Sequence, residues 1–185
     1  DVSHELRSPL TRTLVSLEMI DECEEKEELL ADIREMETMI TVLLGSARLD
    51  SKHGGLDLQE YDFSSLLGDV CREFAAQKPG LRIRSLPRHL VMLLDPERIG
   101  IVLRNIISNG LKYSPSEGKP VDVSVSVQES RIEVVVKDYG RGIPPGELKH
   151  IFEPFYRVDK SRSKKTGGYG LGMNLSRKIV EAHGG

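Results

Sequence analysis

At 185 residues the chain has room for one large domain, or for a small one joined to one of ordinary size. Its 38% hydrophobic and 30% charged content is that of a soluble globular protein, and a net charge of −3 argues against nucleic-acid binding, which needs a basic excess. No apolar run reaches the roughly 18 residues that cross a bilayer, and Cys23 and Cys71, far apart and without CxxC spacing, read as reduced thiols. The helical pattern starts at the first residue without an initiator Met. The chain is therefore expected to be a piece of a longer one, with any membrane attachment in segments absent from it.

Residues 1 to about 50 follow helical periodicity. The first helix carries Leu6, Leu10, Leu14, Leu17 and Ile20, and the second Leu29, Ile33, Met36, Ile40, Leu43 and Ala47 in steps of four and three, a heptad seam. The acidic stretch DECEEKEE between them reads as a solvated turn. One thin apolar stripe per helix is too little to bury itself, so two hairpins are expected to pair into a four-helix bundle, making a homodimer. Pro9 lies inside the first helix, where it removes a hydrogen bond and bends the backbone. His4 falls about 200° around the helix from Leu6 and about 240° from Leu10, which points it away from the seam and toward solvent.

SKHGG at 51–55 breaks the pattern and divides a hairpin at 1–52 from a second domain at 56–185. There, LDLQEYDF reads as an edge strand, and SSLLGDVCREFAAQ as a helix capped by Ser64 or Ser65. LRIRSL and HLVMLL are strand candidates. DPERIGIVLRNIISNGLKYS is a helix with Asp95 at the N-cap and Pro96 at its first position. VDVSVSVQ and RIEVVVKD alternate as paired strands, and NLSRKIVEAHGG closes the chain as a helix. The expected class is α+β, with an antiparallel or mixed sheet carrying helices on one face.

Three stretches carry chemistry. In RNIISNGLKYS, Asn105, Asn109 and Lys112 share a helical face beside an apolar one of Ile99, Val102, Leu103 and Ile106. Two amides and an ammonium in line suit magnesium and phosphate oxygens, or else form a plain polar outer face. In VVVKDYGRGIPP an apolar strand ends at Asp138, whose carboxylate can accept an adenine amine, and Gly140 and Gly142 permit a tight turn. In GGYGLGMNLSRKIVEAHGG, Gly167, Gly168, Gly170 and Gly172 run into a helix, an arrangement that lets backbone N–H groups meet phosphate. His53, His89, His150 and His183 lack metal-ligand spacing and read as surface or core residues.

Taken together, these stretches resemble the catalytic core of bacterial sensor histidine kinases. SHELRSPL is similar to the H-box, RNIISNGLKYS to the N-box, DYGRGIPP to the first glycine box, IFEPFYRVDKSRS to the F-box and GGYGLGMNLSRKIVEAHGG to the second glycine box. The resemblance implies a dimerisation and phosphoacceptor hairpin followed by an ATP-binding α/β sandwich of the Bergerat type. It implies that His4 receives the γ-phosphoryl of ATP, with Glu5 as general base and Ser8 where dephosphorylation of the partner is assisted, and that the group passes to an aspartate of a response-regulator receiver domain. It further implies a nucleotide site of Asn105, Asn109, Lys112, Tyr113, Asp138, Gly140, Gly142, Ile143, Arg157, Gly168, Gly170, Leu171 and Gly172, with Asp138 reading adenine and Asn109 ligating Mg2+. Lys112 and Arg157 would meet phosphate charge. Residues 144–170 would form a mobile lid anchored by the packing of Phe152 and Phe155, with Arg162, Lys164 and Lys165 as solvated lid charges. The chain departs from the pattern at Gly110, which costs about 1 kcal/mol in an exposed helix, and at Ser8, Tyr169 and Asn174. Two alternatives share the fold. One is a catalytically impaired scaffold. The other is an ATPase clamp of the gyrase or mismatch-repair kind, which normally carries glutamate where Asn105 stands and has no such hairpin.

Overall fold

The computed structural model describes residues 2–21, 55–129, 131–158 and 170–185, together with separate positions between 23 and 45; side chains are described from Ser8 onward. The chain begins with α1 (Val2–Glu18), which continues through Pro9. The Pro9 carbonyl accepts the Thr13 hydroxyl at 2.9 Å. The side chains of His4 and Glu5 lie outside the described residues, as does most of the expected domain boundary. Ser8 is exposed.

The turn after α1 is not wholly solvated. Lys26 is only 6% exposed, and its ammonium donates to the Ile20 carbonyl at 2.8 Å. A cation is thereby placed against the open carbonyls that follow α1, where the helix dipole favours it. Residues 25–27, 29–30, 32–33, 36, 39–40 and 45 are helical. From the expected seam, Leu17 and Ile33 are buried, while Ile20, Leu29 and Met36 remain about half exposed.

In the second half β1 (Gln59–Asp62) leads directly into α2 (Phe63–Glu73). The cap of α2 is Asp62, not Ser64 or Ser65: its carboxylate accepts the Ser64 N–H at 3.0 Å. The same oxygen accepts Leu90 N–H at 3.2 Å, and His89 Nδ1 lies 2.7 Å from the other oxygen. These donors hold the Asp62 carboxyl below its usual range, the Leu90 bond foremost. The helix stops four residues short of the expected end, closing in turns over residues 74–77.

β2 (Leu81–Ser85) and β3 (Val91–Leu94) follow, then α3 (Pro96–Tyr113), β4 (Val121–Gln128), β5 (Arg131–Lys137) and α4 (Gly172–Ala182). β1 pairs antiparallel with β3. β2 runs parallel to β4, which pairs antiparallel with β5 through a register from Asp122–Lys137 to Gln128–Arg131. β1 and β3 thus form a two-stranded sheet of their own, and the three-stranded sheet β2-β4-β5 is mixed, in keeping with the strand alternation and the short β4–β5 turn. Its inner face presents Val121, Val123 and Val125 to Phe63, Leu66, Leu67 and Val70 of α2 and to Leu103, Ile107 and Leu111 of α3. α3 is also buried on a second side, where Val102 packs with Leu175 and Ile179 of α4. Asp95 caps α3 as expected, accepting Arg98 N–H at 3.0 Å; its second oxygen accepts Asp57 N–H, and its own N–H donates to His183 Nε2 at the end of α4. No helix among the described residues is long and apolar enough to cross a membrane.

Gly110 is buried, which corrects the expectation of an exposed helix position. A Cβ there would stand 3.2 Å from Val121 and 3.6 Å from Val136, so glycine lets α3 lie close on the sheet. Residues 144–158 form successive turns closed by Glu147 N–H to Pro144 O, His150 N–H to Glu147 O, Glu153 N–H to His150 O and Tyr156 N–H to Glu153 O. Phe152 is half-buried there, but Phe155 is 58% exposed with φ of 63° and does not anchor the segment by packing its ring. Residues 159–169, which include Gly167, Gly168, Tyr169 and the charges at 162, 164 and 165, lie outside the described residues.

On the outer face of the sheet, Asp122 is gripped by four donors. Arg82 donates from Nε at 2.6 Å and from Nη2 at 3.1 Å, Arg84 Nε lies at 3.0 Å, and the Tyr139 hydroxyl donates at 2.7 Å. The Arg82 bonds, followed by the Tyr139 hydroxyl, hold the Asp122 carboxyl far below the usual carboxylate range, against the opposing effect of burial. A depressed carboxyl contributes stability that is complete above its unfolded pKa and is lost as pH falls toward the folded value. The urea midpoints of the native chain and Asp122→Asn should therefore differ most near neutral pH, and the gap should narrow steadily as pH falls from about 4.5 toward 2. A gap that stayed constant through that range would contradict this account.

Candidate nucleotide-binding site

The site assembles where the C-terminal half of α3 meets the turn after β5. α3 ends at Ser114, whose hydroxyl donates to the Gly110 carbonyl at 2.8 Å. β5 ends at Lys137, and the next residue, Asp138, folds its carboxylate back to accept Gly140 N–H at 2.9 Å. That local ring shapes the turn. Gly140 is required because a Cβ there would come 2.3 Å from the Tyr113 carbonyl. Asp138 is thus laid against the end of the helix that carries Asn109, Lys112 and Tyr113. Gly142 follows with φ of +71°, a backbone conformation that glycine adopts freely.

Behind the turn, Tyr139 reaches through to Asp122 and so ties the loop to the outer face of the sheet. The ammonium groups of Lys119 and Lys137 each lie 5.5 Å from its ring centre. Sequence patterns do not disclose this anchor. Its only trace is an aromatic residue between Asp138 and Gly140, and the carboxylate it needs stands on a different strand.

The two asparagines of α3 divide their work. Asn105 turns its amide toward α4, donating from Nδ2 to the Gly172 carbonyl at 3.3 Å and to the Ser176 hydroxyl at 3.2 Å. Because a carbonyl only accepts, the atom facing Gly172 must be the nitrogen. A Cβ on Gly172 would stand 3.2 Å from Asn105, so this glycine gives the amide its seat. Asn109, half-buried, makes no side-chain hydrogen bond among the described residues, and its amide oxygen is available to a hard cation. Among the described residues no group of three or more His, Cys, Asp or Glu could hold a metal. A magnesium ion there would rely on Asn109, waters and a ligand's own oxygens, a donor set that suits magnesium, which keeps several waters and takes few protein ligands.

Cations collect along the same rim. The Lys112 ammonium lies 5.2 Å from the Tyr113 ring centre, and the Arg141 guanidinium 5.8 Å from it on the same ring. Lys112 is pushed below its ordinary value first by partial burial and then by the like charge of Arg157. Arg157 reaches this position from the turns at 144–158, whose backbone abuts the start of α4. Gly170, with φ of +72°, fits against it so closely that a Cβ would come 2.2 Å from the Tyr156 carbonyl. Leu171 is buried at the N-cap of α4 and supplies no side-chain cap. Ile143 and Tyr113 are 45% and 43% exposed, leaving apolar surface at the rim. The structure thus brings together Asn105, Asn109, Lys112, Tyr113, Asp138, Gly140, Gly142, Ile143, Arg157, Gly170, Leu171 and Gly172 on α3, the turn after β5, the turns at 144–158 and the start of α4.

Residues 94–185, which contain all of these positions, match the family model of histidine kinase-, DNA gyrase B-, and HSP90-like ATPases. The whole chain aligns at 41% identity with the sensor histidine kinase WalK of Bacillus subtilis (strain 168), spanning 32% of that protein. It aligns at 38% identity with the sensor protein RstB of Escherichia coli (strain K12), spanning 43% of it. The chain therefore spans well under half the length of these curated relatives. Among solved structures, full-length ShkA in complex with AMPPNP superposes with a TM-score of 0.74 over 99% of this chain and 40% of that one, at 26% identity. The Acinetobacter baumannii histidine kinase AdeS, at 23% identity, shares the fold over 97% of this chain and 86% of that one, with a TM-score of 0.62.

The contact between Gly140 and Tyr113 yields a direct test. Gly140→Ala should push the Asp138 turn off the end of α3 and weaken binding of a fluorescent adenine nucleotide by about tenfold or more, since the obstructing atom is backbone and cannot rotate away. Native affinity in that variant would refute the role given to this close approach.

Proposed function

For a chain that belongs to the sensor histidine kinase family and carries its ATP-binding fold, we propose the catalytic core of a two-component phosphorelay. ATP would give its γ-phosphoryl to His4, which would pass it to an aspartate on a response-regulator receiver domain. The observation that carries the reading is the approach of Lys112 and Arg157. A lysine whose charge is disfavoured by partial burial and by a neighbouring guanidinium is stabilised by an anion beside it, and phosphate oxygens provide one. Asp138, in the turn pressed on the Tyr113 carbonyl, has a carboxylate that can accept the exocyclic amine of adenine. The uncapped start of α4 offers N–H groups to phosphate. AMPPNP in the ShkA complex, an ATP analogue by its chemistry, is in keeping with this ligand class.

In the proposed reaction a ring nitrogen of His4 attacks the γ-phosphorus with its lone pair. The bond from that phosphorus to the β-bridging oxygen breaks, and its electrons leave with ADP. Glu5, next to His4, takes the proton from the opposite ring nitrogen. The product is a phosphoramidate. In the second step a receiver carboxylate oxygen attacks the same phosphorus, the P–N bond breaks, and the imidazole recovers its electron pair and a proton. Lys112 and Arg157 hold the transferring group and neutralise its charge, while Asp138 fixes the base, so that these residues act by positioning and electrostatics. Magnesium, held by Asn109 and phosphate oxygens, would supply further charge neutralisation.

Dimerisation belongs to the same proposal. Ile20, Leu29 and Met36 leave apolar surface on the hairpin that a second copy would cover in a four-helix bundle. The chain would then be a cytoplasmic portion of its parent protein.

Incubation with γ-labelled ATP and magnesium tests the transfer. Acid-labile, base-stable label should form on the native chain and vanish in His4→Gln; equal labelling of that variant would remove His4 from the reaction. Asp138→Asn should lower nucleotide affinity by at least about tenfold, through loss of a charged hydrogen-bond acceptor, while sedimentation of the chain stays unchanged. Unaltered affinity would exclude Asp138 as the base contact.

A further inference from the structure

α4 is an amphipathic helix whose apolar side is satisfied by Val102, Leu175 and Ile179. Two further polar side chains on it make contacts beyond that apolar cluster. Ser176, buried, takes the Asn105 amide and so joins α4 to the helix bearing Lys112. Asn174, half-buried, donates from Nδ2 to the Phe152 carbonyl at 2.8 Å, a bond spanning 22 residues of sequence. One turn further along α4, the Arg177 guanidinium lies 5.8 Å from the centre of the Phe152 ring.

Phe152 belongs to the run of turns that ends in Arg157. This run has its own internal bonds, so its shape does not need Asn174. What Asn174 supplies is a fixed offset between the run and α4. Gly170 supplies a second fixed point, against Phe155 and Tyr156. Arg157 is the next residue. Lys112 is indexed to α4 from the other side, through Asn105.

We propose that Asn174 is a positioning residue: by holding the Phe152 carbonyl it sets where Arg157 stands relative to Lys112, and hence how the two cations meet the phosphates of a bound nucleotide. This rests on reading the site as an ATP site. Without the donor the turns at 144–158 keep their form but lose their register on α4. Arg157 then spreads over more positions and contributes less to phosphate binding. The adenine end, built from the turn after β5, is untouched.

The test uses the full chain, with displacement of a fluorescent nucleotide by a non-hydrolysable ATP analogue and by adenosine. Asn174→Ala should weaken the triphosphate about fivefold, the weight of one neutral hydrogen bond, and leave adenosine unchanged. In an Arg157→Ala background the same substitution should have no further effect. Asn174→Gln, which keeps an amide donor, should recover part of the loss. If Asn174→Ala fails to fold, Asn174→Asp keeps the volume, lacks the donor and takes its place in the cycle. Equal losses for adenosine and triphosphate, or additive losses with Arg157→Ala, overturn the inference while leaving the ATP site standing. Failure of the native chain to bind any adenine nucleotide instead sinks the site reading beneath it.

Discussion

Helix α3 has to satisfy three environments around one circumference, and the rest of the domain is arranged about that demand. Leu103, Ile107 and Leu111 point into the core formed with α2 and the sheet, and Val102 with Ile106 points at α4. At about 100° per residue Asn105, Asn109 and Lys112 share one strip, about 60° wide, within the arc that these two apolar sectors leave. Burial on two sides holds the helix rigidly, so the polar strip is presented at a defined angle. Asn105 closes the border with α4, while Asn109 and Lys112 face the opening. A helix packed on one side only would leave these groups on a freely solvated surface, where a lone ammonium has little hold on an anion.

Two glycines then permit close backbone contacts around that strip. Gly140 lets the Asp138 turn press on the Tyr113 carbonyl, and Gly170 lets the start of α4 press on Tyr156. Each contact is backbone on backbone and rigid. Near them stand Lys112 and Arg157, and Lys112 is held below its ordinary value first by partial burial and then by the like charge of Arg157. Tyr139 and Asp122 brace the turn from the far side of the sheet, which keeps the carboxylate of Asp138 from following solvent.

Features governed by short stretches of chain are legible in the order of residues. Asp95 and Pro96 announce the start of α3 because capping involves residues three apart, and β4 and β5 are legible from alternation because a two-sided sheet imposes it. The same local reasoning misses the cap of α2. Serines next to the helix look sufficient, yet Asp62 wins because its carboxylate also receives the N–H of Leu90, 28 residues away. Gly110 resembles a defect on an exposed surface, and only the closeness of Val121 shows why a side chain is dispensed with there. Phe155 has the character of an anchor because aromatic residues usually bury themselves, whereas here the backbone around it is what α4 touches.

The amino-acid sequence by itself determined which side chains could do chemistry: the carboxylate at a strand end, the amides and ammonium in line on a helix, the glycines running into another helix. Spacing along a single element is a local property, and the succession of residue types sets it directly. The meeting of Lys112 with Arg157, the choice of Asn105 to brace α4 and not to stand open like Asn109, and the grip of Asn174 on Phe152 were decided only when distant segments packed. Those contacts depend on distances between elements, which follow from how the buried faces of α3 seat against the sheet and α4, and no one-dimensional pattern encodes a distance across a core.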